Sequence, residues 1–387
     1  MNRITRLKIE NFRRIKSLDL EMRPLGVMIG ANGSGKSSIL DALSVMEMEV
    51  GYPSDSNGIK TLISKLGGVS SITTLDGSDT MTIGVEVSTD LDIEGNNFIE
   101  TDDTIKHYCE ILFLNDGSPA GRLGPSYYRS KRGQEVIFEF GRKHHTASSG
   151  DFDKLRKAFF NAFFVNSFNP QPTKRFRSLN LEYPKPRQVP IRQPQQIVPE
   201  LFPTQDGDNL LSVLYNLREQ EPGAFEEIID TLRIAFPGFE SLSLPTVAAG
   251  MVTLIWNDKN FQRGLYQNQL SEGMLRMLWL TSILRNPHVP PLTMIDEPEV
   301  SLHPELLMIL AGCMKKATAK TQLLVATHST SLIRNLNPGE VLVLDVDEDG
   351  MTAARWGDDD ELNLESWLED YSLDDVWHMG VLGGRAS

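Results

Sequence analysis

Glycine, lysine and serine residues are concentrated in the segment GANGSGKSS, which spans residues 30–38. Its spacing matches the pattern G-x-x-x-x-G-K-[ST] in full. Glycines let the backbone fold around a phosphate with successive N–H groups pointing inward, and the positive end of a following helix dipole adds to the attraction. Lys36 would reach the outer phosphates, and the Ser37 hydroxyl would bind Mg²⁺. We therefore predict a loop that binds ATP with Mg²⁺, formed by Gly30, Asn32, Gly33, Ser34, Gly35, Lys36, Ser37 and Ser38. The alternative is a glycine-rich turn without a ligand.

Two adjacent carboxylates, Asp296 and Glu297, follow an apolar run at residues 291–295. A buried strand that ends in two acids beside a phosphate loop suits ATP hydrolysis, because it supplies a metal ligand and a residue that positions water. We predict that Asp296 holds Mg²⁺ and that Glu297 orients and polarises the attacking water. The alternative is that both acids precede and cap the helix that begins near Pro304.

Ser271 and His328 are two further polar residues at the ends of predicted elements. Ser271 is a good N-cap for the apolar helical pattern that follows it, and His328 ends an apolar run at residues 323–327. On residue type alone, each has a simple structural interpretation, as a helix cap and as a histidine at the end of a strand.

Hydrophobic spacing predicts the elements that must position these residues. Period-two alternation and short apolar runs indicate strands at 4–9, 18–22, 25–29, 292–296, 322–327 and 341–345. Helical spacing begins near residues 36, 271, 304 and 331. The β–α–β alternation of the last third predicts a parallel α/β core.

The middle of the chain has a different character. We predict antiparallel strands at 81–87, 107–114 and 134–140, helices at 151–160, 209–220 and 224–234, and strands at 163–168 and 251–257. The resulting division is an N-terminal core part with the phosphate loop (1–50), an inserted β-rich lobe (51–168), a proline-rich basic loop (169–204), a helical lobe (205–270), a C-terminal core part (271–347) and an acidic extension (348–387).

Charge is distributed unevenly along the chain. The net charge is −14, but residues 345–375 contain thirteen acids against the single base Arg355, so the rest of the chain is nearly neutral. The segment 169–203 has eight prolines and six basic residues, and its basic stretch 174–192 could bind the phosphates of a nucleic acid. A solvated surface or a protein-docking strap is the alternative.

The order of phosphate loop, LSEG turn, IDEPE strand and ATH turn resembles the ATPase heads of the ABC class. The segments IENFRRI, DEPEVSLHP and VATHSTSLI resemble its SMC/RecF/OLD-like branch, including stand-alone ATPases of anti-phage defence systems. The resemblance covers residues 1–50 and 205–347. LSEGM departs from the LSGGQ of transporters, and His303 stands where their loops carry Asp.

The resemblance implies an ABC-type P-loop head with inserted β and helical lobes, and a homodimer or higher homo-oligomer that encloses ATP. Ser271 and Gly273 would contact the γ-phosphate held by the partner subunit, and Glu297, His328 and Lys36 would be catalytic. Mg²⁺ would be held by Ser37 and Asp296, with Gln171 as the candidate for the glutamine that links the metal to the inserted lobe.

Two purposes fit this resemblance. One is a sensor or scaffold ATPase that controls a separately encoded effector in a defence system. The other is a RecF-like DNA-repair clamp that binds DNA. With no apolar run long enough to span a membrane, no signal-peptide pattern and only two cysteines, we expect a cytoplasmic protein with no membrane partner.

Overall fold

The computed structural model describes residues 3–51, 66–74, 80–94, 97–114, 122–123, 127–132, 135–140, 190–204, 207–359 and 373–378. The strands are β1 Arg3–Phe12, β2 Ile15–Glu21, β3 Leu25–Ile29, β4 Thr80–Glu94, β5 Asn97–Leu114, β6 Arg122–Leu123, β7 Tyr127–Arg132, β8 Glu135–Phe140, β9 Gln195–Gln196, β10 Phe239–Ser243, β11 Thr246–Val247, β12 Met251–Val252, β13 Ile255–Asp258, β14 Leu265–Tyr266, β15 Leu292–Asp296, β16 Gln322–Ala326, β17 Val341–Val346 and β18 Thr352–Trp356. The helices are α1 Lys36–Gly51, α2 Val69–Ile72, α3 Leu210–Gln220, α4 Pro222–Ala235, α5 Glu272–Leu284, α6 Pro304–Ala317, α7 Thr330–Ile333 and α8 Leu373–His378.

A mixed sheet with the order β15-β16-β3-β17-β18 forms the core of the described chain. The first four strands are parallel, and β18 is antiparallel to β17. Every residue of β3 and β16 is buried, as expected for strands that are covered on both faces of a parallel sheet. The predicted parallel α/β core is therefore confirmed.

The parallel register brings three loops to one edge of this sheet. Asp296 at the end of β15 pairs with Ala326 of β16, and Ala326 pairs with Met28 of β3. The loops that leave these strands carry the glycine segment, the two acids and the histidine. They lie side by side because the carboxyl ends of parallel strands share an edge, where α/β proteins bind ligands.

A second, antiparallel sheet has the order β2-β1-β4-β5-β7-β8, with β6 paired to β5. Its buried residues on β1 and β4 pack against α1, β15, β16 and β17 in one apolar cluster. Because β1 and β2 belong to residues 1–50 and β4 onward to residues 51–168, this sheet spans the predicted boundary at residue 50.

The other apolar cluster contains α3, α4, α5 and α6 on the opposite face of the core sheet. Helices were predicted at 209–220 and 224–234, and α3 and α4 occupy those positions. Leu373 and Val376 of α8 are buried in the same cluster, and α8 packs on α7, which follows the histidine turn. Residues 373–378 of the acidic extension thus pack on the core.

The single strand predicted at 251–257 is wrong, since this segment forms the two strands β12 and β13 of different sheets. The buried side chain of Gln267 accepts hydrogen bonds from the Thr253 hydroxyl (2.8 Å) and the Leu254 amide (3.1 Å) between these strands. A side-chain acceptor thus takes up the Leu254 amide, a backbone group that a continuous ladder would have paired. The helix and strand predicted at 151–160 and 163–168 lie outside the described residues.

Gln322 at the start of β16 joins the two sheets. Its buried side chain accepts from the Ile4 amide (2.9 Å) and donates to the carbonyls of Ile4 (2.9 Å) and Arg23 (3.0 Å). We predict that Gln322→Ala lowers the free energy of unfolding by about 3 kcal/mol, because three hydrogen bonds are lost and buried backbone groups are left unpaired. Urea unfolding measures this. Gln262→Ala, at an exposed position, is the control, and equal stability of both variants would contradict the assignment.

Candidate nucleotide-binding site

A cavity of about 670 Å³ opens at the loop edge of the core sheet. Three segments that are far apart in sequence meet there, from the ends of β3, β15 and β16, together with residues near α2 and the β1–β2 turn. The lining residues are Arg13, Arg14, Asn32, Gly33, Gly35, Lys36, Ser37, Ser38, Ser71, Thr73, Glu297 and His328.

The shape of the glycine loop depends on positions where a side chain cannot fit. Gly35 has a φ of 106°, and a β-carbon there would lie 2.5 Å from the Thr352 hydroxyl oxygen. Gly30, with a φ of 156°, would place a β-carbon against the Leu344 carbonyl oxygen. The back of the loop therefore packs closely on β17 and β18, and only glycine combines this backbone conformation with this close approach.

Lys36 lies at the N-terminus of α1 with its ammonium group inside the loop. Its Nζ donates to the carbonyl oxygens of Gly30 (2.7 Å) and Ala31 (2.9 Å). Burial lowers the pKa of Lys36 to about 8, and the nearby Asp296 and Glu297 partly oppose this shift. The ammonium is thus poorly solvated and held by neutral oxygens, which leaves it available to a stronger acceptor such as a phosphate.

Asp296 and Ser37 lie together beside the loop. The Ser37 hydroxyl is 3.4 Å from Asp296 Oδ2, which is a weak contact. Burial, followed by the neighbouring charge of Glu297, raises the pKa of Asp296 to about 6. A hydroxyl and a carboxylate that lie side by side are suitable oxygen donors for Mg²⁺, so the residues fit the predicted metal.

Glu297 and His328 face each other across the opening, with Glu297 Oε1 4.0 Å from His328 Nε2. Glu297 has a φ of 47°, a left-handed conformation that costs energy in residues other than glycine and is concentrated at functional sites. Burial and then the charge of Lys36 lower the pKa of His328. The imidazole therefore favours its neutral form, with one nitrogen able to donate and the other able to accept.

Ser271 and Gly273 are not among the residues that line the cavity of their own chain. Ser271 caps α5, since its hydroxyl accepts from the Met274 amide (3.2 Å). A β-carbon at Gly273 would lie 2.7 Å from the Ser301 carbonyl oxygen, so α5 packs closely on the turn that follows Glu297. Arg192, at the end of the basic segment, donates to the Leu270 carbonyl oxygen (2.8 Å) just before this cap.

Two of the predicted loop residues, Gly30 and Ser34, do not line the cavity. Ser34 is fully buried, while Asn32, Gly33, Gly35, Lys36, Ser37 and Ser38 face the opening. Gln171 lies outside the described residues, so its role stays a prediction. The catalytic and ligand roles of the other site residues also stay predictions, since the structure shows that these residues lie together and does not test what they do.

The sequence interpretation missed Arg276, Glu299, Ser71 and Thr73. Arg276 is 3% exposed, and its Nη2 donates to the Glu297 carbonyl oxygen (2.6 Å). The available signals were a base within the apolar α5 and a third acid in the motif DEPE. Arg13 and Arg14, in the turn between β1 and β2, also line the cavity. Arg13 is also paired with Asp41 of α1 (2.6 Å).

Comparison with known proteins shows the family of this chain. The sequence model of the family described as "AAA domain, putative AbiEii toxin, Type IV TA system" matches residues 26–334, well over half of the chain. The chain belongs to this family. The match covers the glycine loop, the acids and the histidine, and it indicates a nucleotide-binding ATPase.

Solved structures of SMC heads have the same fold. An SMC head bound to the C-winged helix domain of ScpA has a TM-score of 0.56 at 14% identity, covering 92% of this chain and 98% of that chain. An Smc head with an extended coiled coil, bound to the C-terminal domain of ScpA from Pyrococcus furiosus, has a TM-score of 0.54 at 12% identity, covering 96% and 100%. The predicted ABC-type ATPase head is therefore confirmed as a fold. No curated protein matches the sequence.

In the part of this AAA-family chain that the structure describes, no helix is long and apolar enough to cross a membrane. Among the same residues, no cluster of three or more histidine, cysteine or acidic side chains could hold a metal ion.

The buried ammonium of Lys36 predicts a pH dependence of nucleotide binding. Because its pKa is about 8 in the free chain, the cation that attracts phosphate is present below this pH and is lost above it. We expect ATP without metal to bind about tenfold or more weakly at pH 9.5 than at pH 7.5.

Titration of a fluorescent ATP analogue measures this effect. Lys36→Met should bind weakly at both pH values and show little pH dependence. Equal affinity of the natural chain at both pH values would contradict a phosphate-binding role for this ammonium.

Proposed function

We propose that this chain is a Mg²⁺-dependent ATPase that closes into a homodimer around ATP and uses hydrolysis to open again. The observation that carries the proposal is the incomplete site of a single chain. Lys36, Ser37, Glu297 and His328 meet around one opening, whereas Ser271 and Gly273 lie outside it, at the start of α5, where the amides of a helix N-terminus can bind a phosphate. A second copy would bring these two parts together.

Binding begins with the loop. The Lys36 ammonium exchanges the carbonyls of Gly30 and Ala31 for phosphate oxygens, which gain more from the charge. The N-terminus of α1 faces the same phosphates. Ser37 and Asp296 would hold Mg²⁺, which would neutralise charge on the phosphate oxygens.

Hydrolysis requires a water molecule to be held in line with the terminal phosphate. Glu297 is exposed at the opening, and it accepts a hydrogen bond from that water and orients it. His328, whose lowered pKa favours the neutral form, donates from one ring nitrogen to the γ-phosphate. The transition state is stabilised by Lys36, the loop amides and the Ser271 end of α5 from the partner subunit.

The dimer would act on a separate effector protein. The family description refers to a toxin system, and both SMC heads are bound to domains of another protein, ScpA. Arg192 gives a route for coupling, because it connects the proline-rich segment to the backbone that precedes Ser271. A partner that binds this segment would alter the contact with the γ-phosphate.

A RecF-like DNA clamp is the alternative, and DNA dependence of hydrolysis distinguishes the two. We expect turnover to be unchanged by gapped duplex DNA. The matched variant neutralises the basic residues Lys174, Arg175, Arg177, Lys185 and Arg187 and leaves Arg192 intact because of its structural contact. Stimulation by DNA that this variant loses would overturn the effector proposal in favour of the clamp.

The shared site predicts complementation between two inactive variants. Lys36→Met removes the phosphate-binding ammonium, and Ser271→Asp keeps a good helix cap but repels the partner's triphosphate. Each alone should lose at least about 90% of ATPase activity. In a mixed dimer, one of the two sites combines natural Lys36 with natural Ser271.

With random pairing, half of the dimers are mixed, and the mixture should recover about a quarter of the natural rate. Ser271→Asn, which caps without a charge, is the control and should retain more activity than Ser271→Asp. Mixtures as inactive as their components, under conditions where subunits exchange, would refute the shared site.

A further inference from the structure

A third carboxylate, that of Glu299, lies directly behind the opening. Its Oε1 accepts a hydrogen bond from the His328 backbone amide (2.8 Å). Its Oε2 is buried and has no hydrogen-bond partner within the described part of the chain. The charge also reaches Lys36 and Asp296, since it affects the pKa of both. Glu299 therefore belongs to the site, although it does not line the cavity.

The bond joins the two loops that carry Glu297 and His328. These loops leave the neighbouring parallel strands β15 and β16, and one backbone bond, from the Glu297 amide to the Ala326 carbonyl (2.8 Å), connects them at the strand ends. The Glu299 bond is a second connection, further out along both loops. Two connections at different points restrict rotation of one loop against the other, which a single bond permits.

We propose that Glu299 is a positioning residue that sets the separation of the Glu297 carboxylate and the His328 imidazole through its hydrogen bond to the His328 amide. The inference rests on the proposed hydrolysis, because these two groups act on the same phosphate and water. A displacement of about 1 Å at such a pair lowers the rate substantially. Nucleotide binding depends on the glycine loop and Lys36, which this bond does not touch.

The acceptor oxygen, rather than the negative charge, performs this role. Glu299 is placed near Asp296 and Glu297, so its charge adds repulsion to an already acidic edge. A neutral side chain of the same length would keep the bond and remove the repulsion. A shorter carboxylate would keep the charge but fall short of the amide.

Three substitutions separate these properties. Glu299→Gln keeps the length of the side chain and an acceptor oxygen but removes the charge. Glu299→Asp keeps the charge on a shorter side chain, and Glu299→Ala removes both the acceptor and the charge. We expect Ala and Asp to lower kcat by about tenfold or more, since the hydrogen bond that fixes the His328 loop is lost, with KM for ATP changed less than about threefold. Gln should stay within about threefold of the natural kcat. Glu240→Ala, at an exposed position on β10, is the control.

Hydrogen–deuterium exchange of the peptide that contains His328 measures the protection of the His328 amide, and this measurement does not require hydrolysis. Exchange should accelerate in the Ala and Asp variants and stay near the natural rate in Gln, with equal thermal stability of Gln and Asp showing that both are folded. Natural kcat and exchange in the Ala variant, or activity kept by Asp and lost by Gln, would overturn the inference. Absence of hydrolysis in the natural chain would instead refute the proposed function, and the exchange rates would still decide whether Glu299 holds the His328 loop.

Discussion

The parallel register of β3, β16 and β15 is the constraint on which the rest of the molecule depends. It carries three loops to one edge of the sheet, with Asp296 paired to Ala326 and Ala326 to Met28. A shift of two residues in this pairing would move the acids by more than 6 Å relative to the glycine loop. The glycine loop, Glu297 and His328 would then no longer share one cavity.

The loop edge concentrates charges that water would solvate better, and the structure compensates for this locally. Lys36 is held by two carbonyls, while Asp296 is partly buried beside Glu297 and has a raised pKa. Buried and imperfectly paired charges are unfavourable for stability. A triphosphate with its metal would pair the ammonium and the carboxylates together, so part of the cost of burial in the free chain is recovered on binding.

The turn after Glu297 connects the parts that the proposal assigns to two different subunits. Arg276 of α5 donates to the Glu297 carbonyl, and Gly273 packs on the Ser301 carbonyl. Through Glu299 the same turn reaches His328. The start of α5 is therefore linked, within one chain, to Glu297 and His328. In the proposed dimer, a phosphate contact that α5 makes in the partner's site would be coupled to these two groups.

The local sequence was sufficient to predict the strands and helices of much of the core. It was insufficient where contacts between residues distant in sequence determine the structure. The runs at β3, β15 and β16 are short, apolar and bounded by polar turns, so their type, order and parallel arrangement could be predicted. The break between β12 and β13 could not, because it depends on the side chain of Gln267, more than ten residues away. The pairing of β1 with β4 in one sheet could not be predicted either, because the local sequence of a strand does not specify its pairing partner. For the site, spacing predicted Lys36, Ser37, Asp296 and Glu297, and the family resemblance predicted His328. The hydrogen bonds of Arg276 and Glu299 to backbone groups could not be predicted, because they join segments that are distant in sequence.

The most direct test of the central claim is the molar mass of the Glu297→Gln variant in solution with ATP and Mg²⁺, measured by light scattering after size exclusion. This variant should bind ATP but hydrolyse it at least about 100-fold more slowly, so the closed state should accumulate. The account predicts a mass near that of the 43.3 kDa chain without nucleotide and about twice this mass with ATP. A mass of one chain under both conditions, with ATP demonstrably bound, would contradict it.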